Sequence, residues 1–124
     1  KDVTLIGTGI MVTAALKAAE LLAEEGINAR VINMATVKPL DNDAVIAAAQ
    51  ETGAIVTCEE HSVIGGLGGA VCEVVSENFP VPVERVGLKD VFGQSGTPDE
   101  LLEAYGLTPK DIVQAALKAV RRKR

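Results

Sequence analysis

The side chains of this 124-residue sequence best suited to chemistry stand together in Cys58-Glu59-Glu60-His61-Ser62. They run directly into Val63-Ile64-Gly65-Gly66-Leu67-Gly68-Gly69. Two carboxylates precede the only histidine, and four glycines fill five positions after it. An imidazole beside carboxylates favours its protonated form and titrates near neutral pH, the property general acid–base work needs. A nucleophile, its base and an orienting group cannot be assembled around His61, however, and Ser62 being its neighbour in sequence does not make a triad. The expectation is therefore no catalytic residue within this chain. Glu59, Glu60, His61, Ser62, Gly65 and Gly66 are expected to orient a ligand or to form an interface.

A second candidate is Gly7-Thr8-Gly9, which ends an apolar run and opens a helical pattern. Backbone N–H groups at such a turn can receive an anion. Val12 stands where a dinucleotide fingerprint has its third glycine, and the next strand ends in Asn33-Met34, without an acidic ribose ligand. An anion-binding turn and a plain tight turn both stay open. The Gly65–Gly69 run is no P-loop, because Ala70-Val71 replaces the Lys-Ser/Thr pair. It permits close approach of a ligand or another subunit to bare backbone, or presses a helix start against a neighbouring element, and the two are compatible. Cys58 and Cys72, with one histidine, lack metal-site spacing; both are expected as reduced, buried thiols, with no metal bound.

The elements that must position these groups follow from periodicity. Val3-Thr4-Leu5-Ile6 suits a buried parallel strand. A helix follows over Met11–Glu25, with Ala15, Leu16, Ala19 and Leu22 inward, Lys17, Glu20 and Glu24 outward, and Gly26 as its stop. Ala29–Asn33 is the second strand. After Lys38-Pro39-Leu40, Asp41 caps a second helix that runs to Glu51 and stops near Gly53. Ala54–Glu59 is the third strand, and a helix over Gly68–Asn78 turns Ala70, Val71, Val74 and Val75 inward. Pro80 and Pro82 flank the approach to a fourth strand, Val83–Val86. Val91–Gly96 reads as an irregular loop. Thr97-Pro98-Asp99-Glu100 reads as a capping box for a short helix bearing Leu101, Leu102 and Tyr105, closed by Gly106. Thr108-Pro109-Lys110-Asp111 opens the last helix, whose buried stripe is Ile112, Val113, Ala116, Leu117 and Val120. Strands separated by helices imply an α/β fold with a parallel sheet and helices on both faces. The strand order stays open between flavodoxin-like and Rossmann-like.

Length predicts one domain over residues 1–124. Hydrophobic residues make up 48%, largely Ala, Val, Ile and Leu, with no Trp, one Tyr and two Phe; this argues against an aromatic platform for nucleic acid. No apolar run approaches a membrane span and no signal-peptide pattern opens the chain. The expectation is a soluble, cytoplasmic protein bound to neither nucleic acid nor membrane. Net charge is −5, but the last four residues are all basic, so the rest carries −9. That tip is expected to complement a helix C-terminus and stay solvated.

Asp2–Gly9, Val31-Ile32-Asn33-Met34, Lys38-Pro39-Leu40-Asp41, Glu59-Glu60-His61 with its glycines, Phe92–Thr97 and Tyr105-Gly106-Leu107-Thr108 together give a specific pattern. The sequence resembles the C-terminal domain of transketolase and its thiamine-diphosphate-dependent relatives over essentially its whole length. Deoxyxylulose phosphate synthase and the beta subunit of 2-oxoacid dehydrogenases share the layout, while Gln94-Ser95-Gly96 and the Tyr105–Thr108 junction look closest to split transketolases. The resemblance implies a three-layer α/β/α fold, a parallel sheet in order 2-1-3-4, and an antiparallel edge strand supplied from upstream. With no such strand in this sequence, the chain is expected to be an excised domain with an open edge beside Ala29–Asn33.

The resemblance further implies that thiamine diphosphate and Mg2+ belong to other domains of the full enzyme. The Asp-Asn ligands beside a Gly-Asp-Gly motif are absent from this sequence, and no cofactor is expected on this domain. The partner implied is a transketolase N-terminal half carrying the cofactor- and pyrimidine-binding domains, in a homodimer or heterotetramer. The full enzyme would move two-carbon ketol units between sugar phosphates, with this domain serving assembly and the substrate entrance, inactive alone. A different class of reading is a regulatory module that binds a nucleotide or anion in the crevice between Gly7-Thr8-Gly9 and Glu59-Glu60-His61.

Overall fold

The computed structural model describes residues 1–9, 11–34, 41–62, 66–88 and 108–123, without the side chains of residues 60–62 and 88. The elements are β1 (Val3–Gly7), α1 (Met11–Glu24), β2 (Ala29–Asn33), α2 (Asn42–Thr52), β3 (Ile55–Ser62), α3 (Leu67–Asn78), β4 (Val83–Leu88) and α4 (Pro109–Arg121). The strands form one parallel sheet in the order β2-β1-β3-β4, the flavodoxin-like alternative. Lys38-Pro39-Leu40, Gly65, the loop Val91–Gly96 and the short helix expected from Thr97 to Gly106 lie outside the described residues.

All five residues of β1 are buried, so apolar side chains must leave it on both faces. Leu5 joins Val56, Cys58 and Val86 under α1 and α4, where Met11, Ala15, Ala18, Leu22, Ile112 and Ala116 close the layer. Ile6 joins Ile55 on the opposite face, against Val45, Ala48 and Ala49 of α2 and Leu67, Val71 and Val75 of α3. Two polar side chains bury between the layers by pairing: the Thr4 and Thr52 hydroxyls meet at 2.9 Å, and Thr52 also donates to the Ala48 carbonyl.

Helix ends follow the sequence closely. Asp41 accepts from the Ala44 N–H at 3.1 Å, and Gly53 ends α2 in the left-handed region at φ +72°. Thr108 and Asp111 form a reciprocal capping box with Pro109 in the first turn.

Several expectations need correction. Leu16 does not face inward: it is 53% exposed, and Met11 and Ala18 complete the stripe with Ala15 and Leu22. Helix α1 is apolar on more than one side, so its pattern does not fix its rotation. Ala19, Ala70, Val74, Leu117 and Val120 are half-buried, and Ala119 takes the interior place on α4. Cys72 is likewise only half-buried.

The basic tip is not simply solvated. Lys123 Nζ donates to the Asp2 carbonyl at 2.7 Å and the Thr52 carbonyl at 2.8 Å, while Arg122 pairs with Glu84. Strand β3 also runs to Ser62 instead of ending at Glu59, so Glu60 and His61 sit in a strand.

Two measurements test this core. Leu22→Ala is expected to cost about 2–5 kcal/mol in urea unfolding, whereas Leu16→Ala stays within about 0.5 kcal/mol of wild type; equal losses would show the α1 rotation to be wrong. Burial, reinforced by the Glu59 charge, pushes the Cys58 thiol up to about 12. The unfolded chain releases that proton near pH 9 while the folded chain keeps it. This group therefore removes about 1.4 kcal/mol of stability per pH unit between pH 9 and 12. Cys58→Ala should flatten the fall in stability measured from pH 9 to 11.

Candidate functional site

The crevice of a 2-1-3-4 sheet lies beyond the carboxyl ends of β1 and β3, where the order reverses. Gly7 is in register with Cys58, and the Thr8 N–H donates to the Cys58 carbonyl at 3.2 Å. Met34 N–H donates to the Gly7 carbonyl on the other side at 2.9 Å. These bonds bring Gly7-Thr8-Gly9 beside Cys58 and Glu59. Gly9 takes φ +56°, the left-handed conformation that starts the turn into α1. At Gly7 a Cβ would stand 3.4 Å from the backbone of Met11 and Val12, at the edge of ordinary van der Waals contact, so α1 begins close against the strand end.

The amides of this turn are largely spent. Thr8 N–H is on Cys58, Met11 N–H on the Thr8 carbonyl, and Val12 N–H on the Gly9 carbonyl at 3.2 Å. This turn closes mainly on itself, and the plain tight-turn reading accounts for its hydrogen bonds.

Glu59 has a defined place. It is 2% exposed, and its two carboxylate oxygens accept from Leu67 N–H at 3.0 Å and Gly68 N–H at 2.8 Å. Gly66, the N-cap residue of α3, has no side chain for this task. The charge needed at the positive end of α3 thus comes from β3, eight and nine residues earlier. Beside it, the β3–β4 register shifts: Cys58 pairs with Val86 and Ser62 with Leu88, so four steps on β3 match two on β4. Glu60 and His61 lie in this bulge. Bulges re-aim the chain where a sheet meets a site.

The glycines divide by function. Gly66 is extended, at φ −98°, so the left-handed region does not explain it. A Cβ on Gly68 would meet Arg85 Cδ at 2.6 Å, Arg85 Cγ at 2.9 Å and Thr57 Oγ1 at 3.0 Å. A Cβ on Gly69 would meet nothing within 4 Å. Sequence reasoning missed Arg85 and Thr57, because nothing in a linear pattern says which neighbouring-strand side chain crosses a helix start.

This separates two substitutions. Gly68→Ala should destabilise the chain by about 1–2 kcal/mol, since overpacking against the middle of the Arg85 stem outweighs helix propensity. Gly69→Ala should stabilise it by about 0.5 kcal/mol. Thermal unfolding of both variants checks the signs, and a stabilising Gly68→Ala would contradict the packing.

Comparison with known proteins agrees with this architecture. Residues 1–112 match the family model described as transketolase, C-terminal domain. The chain is 56% identical over 122 residues to the 6-deoxy-6-sulfo-D-fructose transketolase subunit SqwH of Clostridium sp. (strain MSTE9), covering 98% of this chain and 38% of that protein. It is 45% identical over 119 residues to the 1-deoxy-D-xylulose-5-phosphate synthase of Trichormus variabilis, covering 95% of this chain and 19% of the synthase. A solved structure described as a split gene transketolase, inactive beta4 tetramer, superposes with a TM-score of 0.97 at 57% identity, over 100% of this chain and 41% of that one. The sheet order, the glycine-started α3 and these matches have one consequence: the chain belongs to the transketolase C-terminal domain family.

Proposed function

We propose that this chain is the C-terminal domain of a thiamine-diphosphate-dependent transketolase that transfers two-carbon ketol units between sugar phosphates. Within that enzyme it contributes to assembly and borders the substrate entrance, and by itself it performs no transfer. The observation that carries the reading is the near-complete match, at 56–57% identity, to a transketolase subunit and to a split-gene transketolase chain. The chain spans about two fifths of each, so the activity belongs to the larger protein.

Thiamine diphosphate and its metal do not fit the described residues. Thr8, Leu67 and Gly68 amides already have acceptors, and no group of three or more His, Cys, Asp or Glu among the described residues could hold a metal ion. In this reading the cofactor belongs to the N-terminal half, as the resemblance implies. The contribution of the present domain is geometric. The bulged end of β3 carries Glu60 and His61 at the carboxyl edge of the sheet, the edge where α/β proteins meet ligands and partners. The Gly7-Thr8-Gly9 turn, Ser62 and Gly66 complete that rim. Among the described residues no helix is long and apolar enough to cross a membrane.

A second reading follows from the 45% match to a 1-deoxy-D-xylulose-5-phosphate synthase: the same domain role in an enzyme forming that product. One experiment separates the two. The complete enzyme carrying this domain is supplied with thiamine diphosphate, Mg2+ and either xylulose 5-phosphate with ribose 5-phosphate or pyruvate with glyceraldehyde 3-phosphate, alongside the 124-residue chain alone. Ketol transfer by the complete enzyme and none by the chain is expected. Turnover by the chain alone overturns the non-catalytic role, and formation of 1-deoxyxylulose 5-phosphate by the complete enzyme replaces the first reading by the second.

A further inference from the structure

The Glu59 carboxylate is buried, bidentate and distant in sequence from the amides it binds. A local cap on residue 66 would satisfy one N–H of the first turn, at residue 68 or 69, without involving the sheet. Here the acceptor belongs to β3, at the first residue past Cys58, where the ladder to β4 slips by two residues. The carboxylate therefore does two things at once. It supplies the negative charge that the start of α3 favours, and it closes the chain from Glu59 to Leu67 into a ring tied at both ends. Hydrogen bonds to an ionised carboxylate are roughly twice as strong as neutral ones, so this tie is a firm one beside a weakened ladder. The same carboxylate occupies the Leu67 and Gly68 amides, where an incoming phosphate would otherwise bind.

We infer that Glu59 is a positioning residue: its buried carboxylate fixes the bulged end of β3, which carries Glu60 and His61, against the start of α3, and so sets how substrate is met at the crevice. The substrate part of this inference rests on the transketolase reading; the clasp itself does not. Both Glu59 carboxylate oxygens are engaged by the Leu67 and Gly68 amides. Glu59 acts through the turn that it holds, as supporting groups hold a site in its productive geometry.

Glu59→Gln keeps the volume but turns an amide N–H toward a backbone N–H that needs an acceptor. In the chain alone, amide hydrogen exchange at Leu67, Gly68 and across residues 60–66 should accelerate about tenfold or more, with β1 and α4 unchanged. In the complete enzyme, KM for xylulose 5-phosphate should rise about fivefold or more, while kcat stays within about twofold. Val75→Ala, a core change in α3 away from the clasp, is the control: it should lower the melting temperature and leave KM alone. Unchanged exchange over 60–68 overturns the clasp. A wild-type KM in a Glu59→Gln enzyme that merely melts earlier, as Val75→Ala does, reduces Glu59 to a helix cap and overturns the positioning role. Should Glu59→Gln fail to fold, Glu59→Asp, one methylene too short to reach both amides, is held to the same two readouts. Absence of ketol transfer in the wild-type complete enzyme would sink the transketolase reading and with it the substrate part, while the exchange result still decides the clasp.

Discussion

Everything in this fold hangs on the complete burial of β1. A strand with no exposed residue needs a hydrogen-bonded neighbour on each edge and an apolar layer on each face. β2 and β3 supply the edges, α1 with α4 one face, and α2 with α3 the other. Once β1 is central, the chain must leave its carboxyl end toward β2 and return later to β3 on the opposite side. That reversal opens a crevice between the two strand ends whatever the enzyme does with it. The location of the site is a consequence of topology. Its chemistry is a separate matter, decided by a few side chains.

Those side chains are used differently from what their types suggest. Gly7-Thr8-Gly9 and the start of α3 both present backbone amides at a helix start, and several of these already have acceptors: Thr8, Met11 and Val12 in the first, Leu67 and Gly68 in the second. In the first the acceptors are backbone carbonyls; in the second the acceptor is the Glu59 carboxylate. The distinction matters because a carbonyl ties neighbouring turns, whereas a buried carboxylate concentrates a full charge at a helix start. That charge also raises the Cys58 thiol further, after burial itself. The residue that sequence groups with His61 as an acid–base candidate thus acts on its surroundings as a fixed anion, binding backbone on one side and disfavouring a thiolate on the other.

The legible part of the sequence was the part governed by local rules. Asp41, Gly53, Thr108 and Asp111 act through contacts within four residues, and all four were placed correctly. The four strands and the 2-1-3-4 order agree with the reading, although the order came from family resemblance; periodicity had left two choices. Misplacements arose where a residue's role depends on a distant partner. Leu16 looked buried because α1 offers two apolar flanks and only the packed neighbours choose between them. Lys123 looked solvated because Asp2 and Thr52 are 121 and 71 residues away. At the site, Glu59 was picked out for its proximity to His61, but its function depends on amides that fold back over it from α3.

The two ends of the sheet consequently carry opposite burdens. At the amino end, Asp2 accepts from Asn28 N–H at 2.8 Å, Lys123 bridges Asp2 and Thr52, and Arg122 with Lys118 engages Glu84. These contacts bind β1, β2, α2, β4 and the last helix to one another, so the chain's first and last segments close the structure together. Hydrogen bonds from an ammonium to part-buried carbonyls contribute more than exposed ion pairs do, which makes Lys123 the stronger member of this set. Among the described residues, the carboxyl end shows one bidentate carboxylate, a slipped ladder and a glycine-started helix. A fold closed at one end can tolerate an irregular rim at the other, because the core does not depend on the rim for its register. Residues 4–7 of β1 keep their pairing with 55–58 of β3 without interruption, and the irregularity begins only after Cys58. The transition from regular to bulged strand therefore falls where the buried layers end and the candidate site starts.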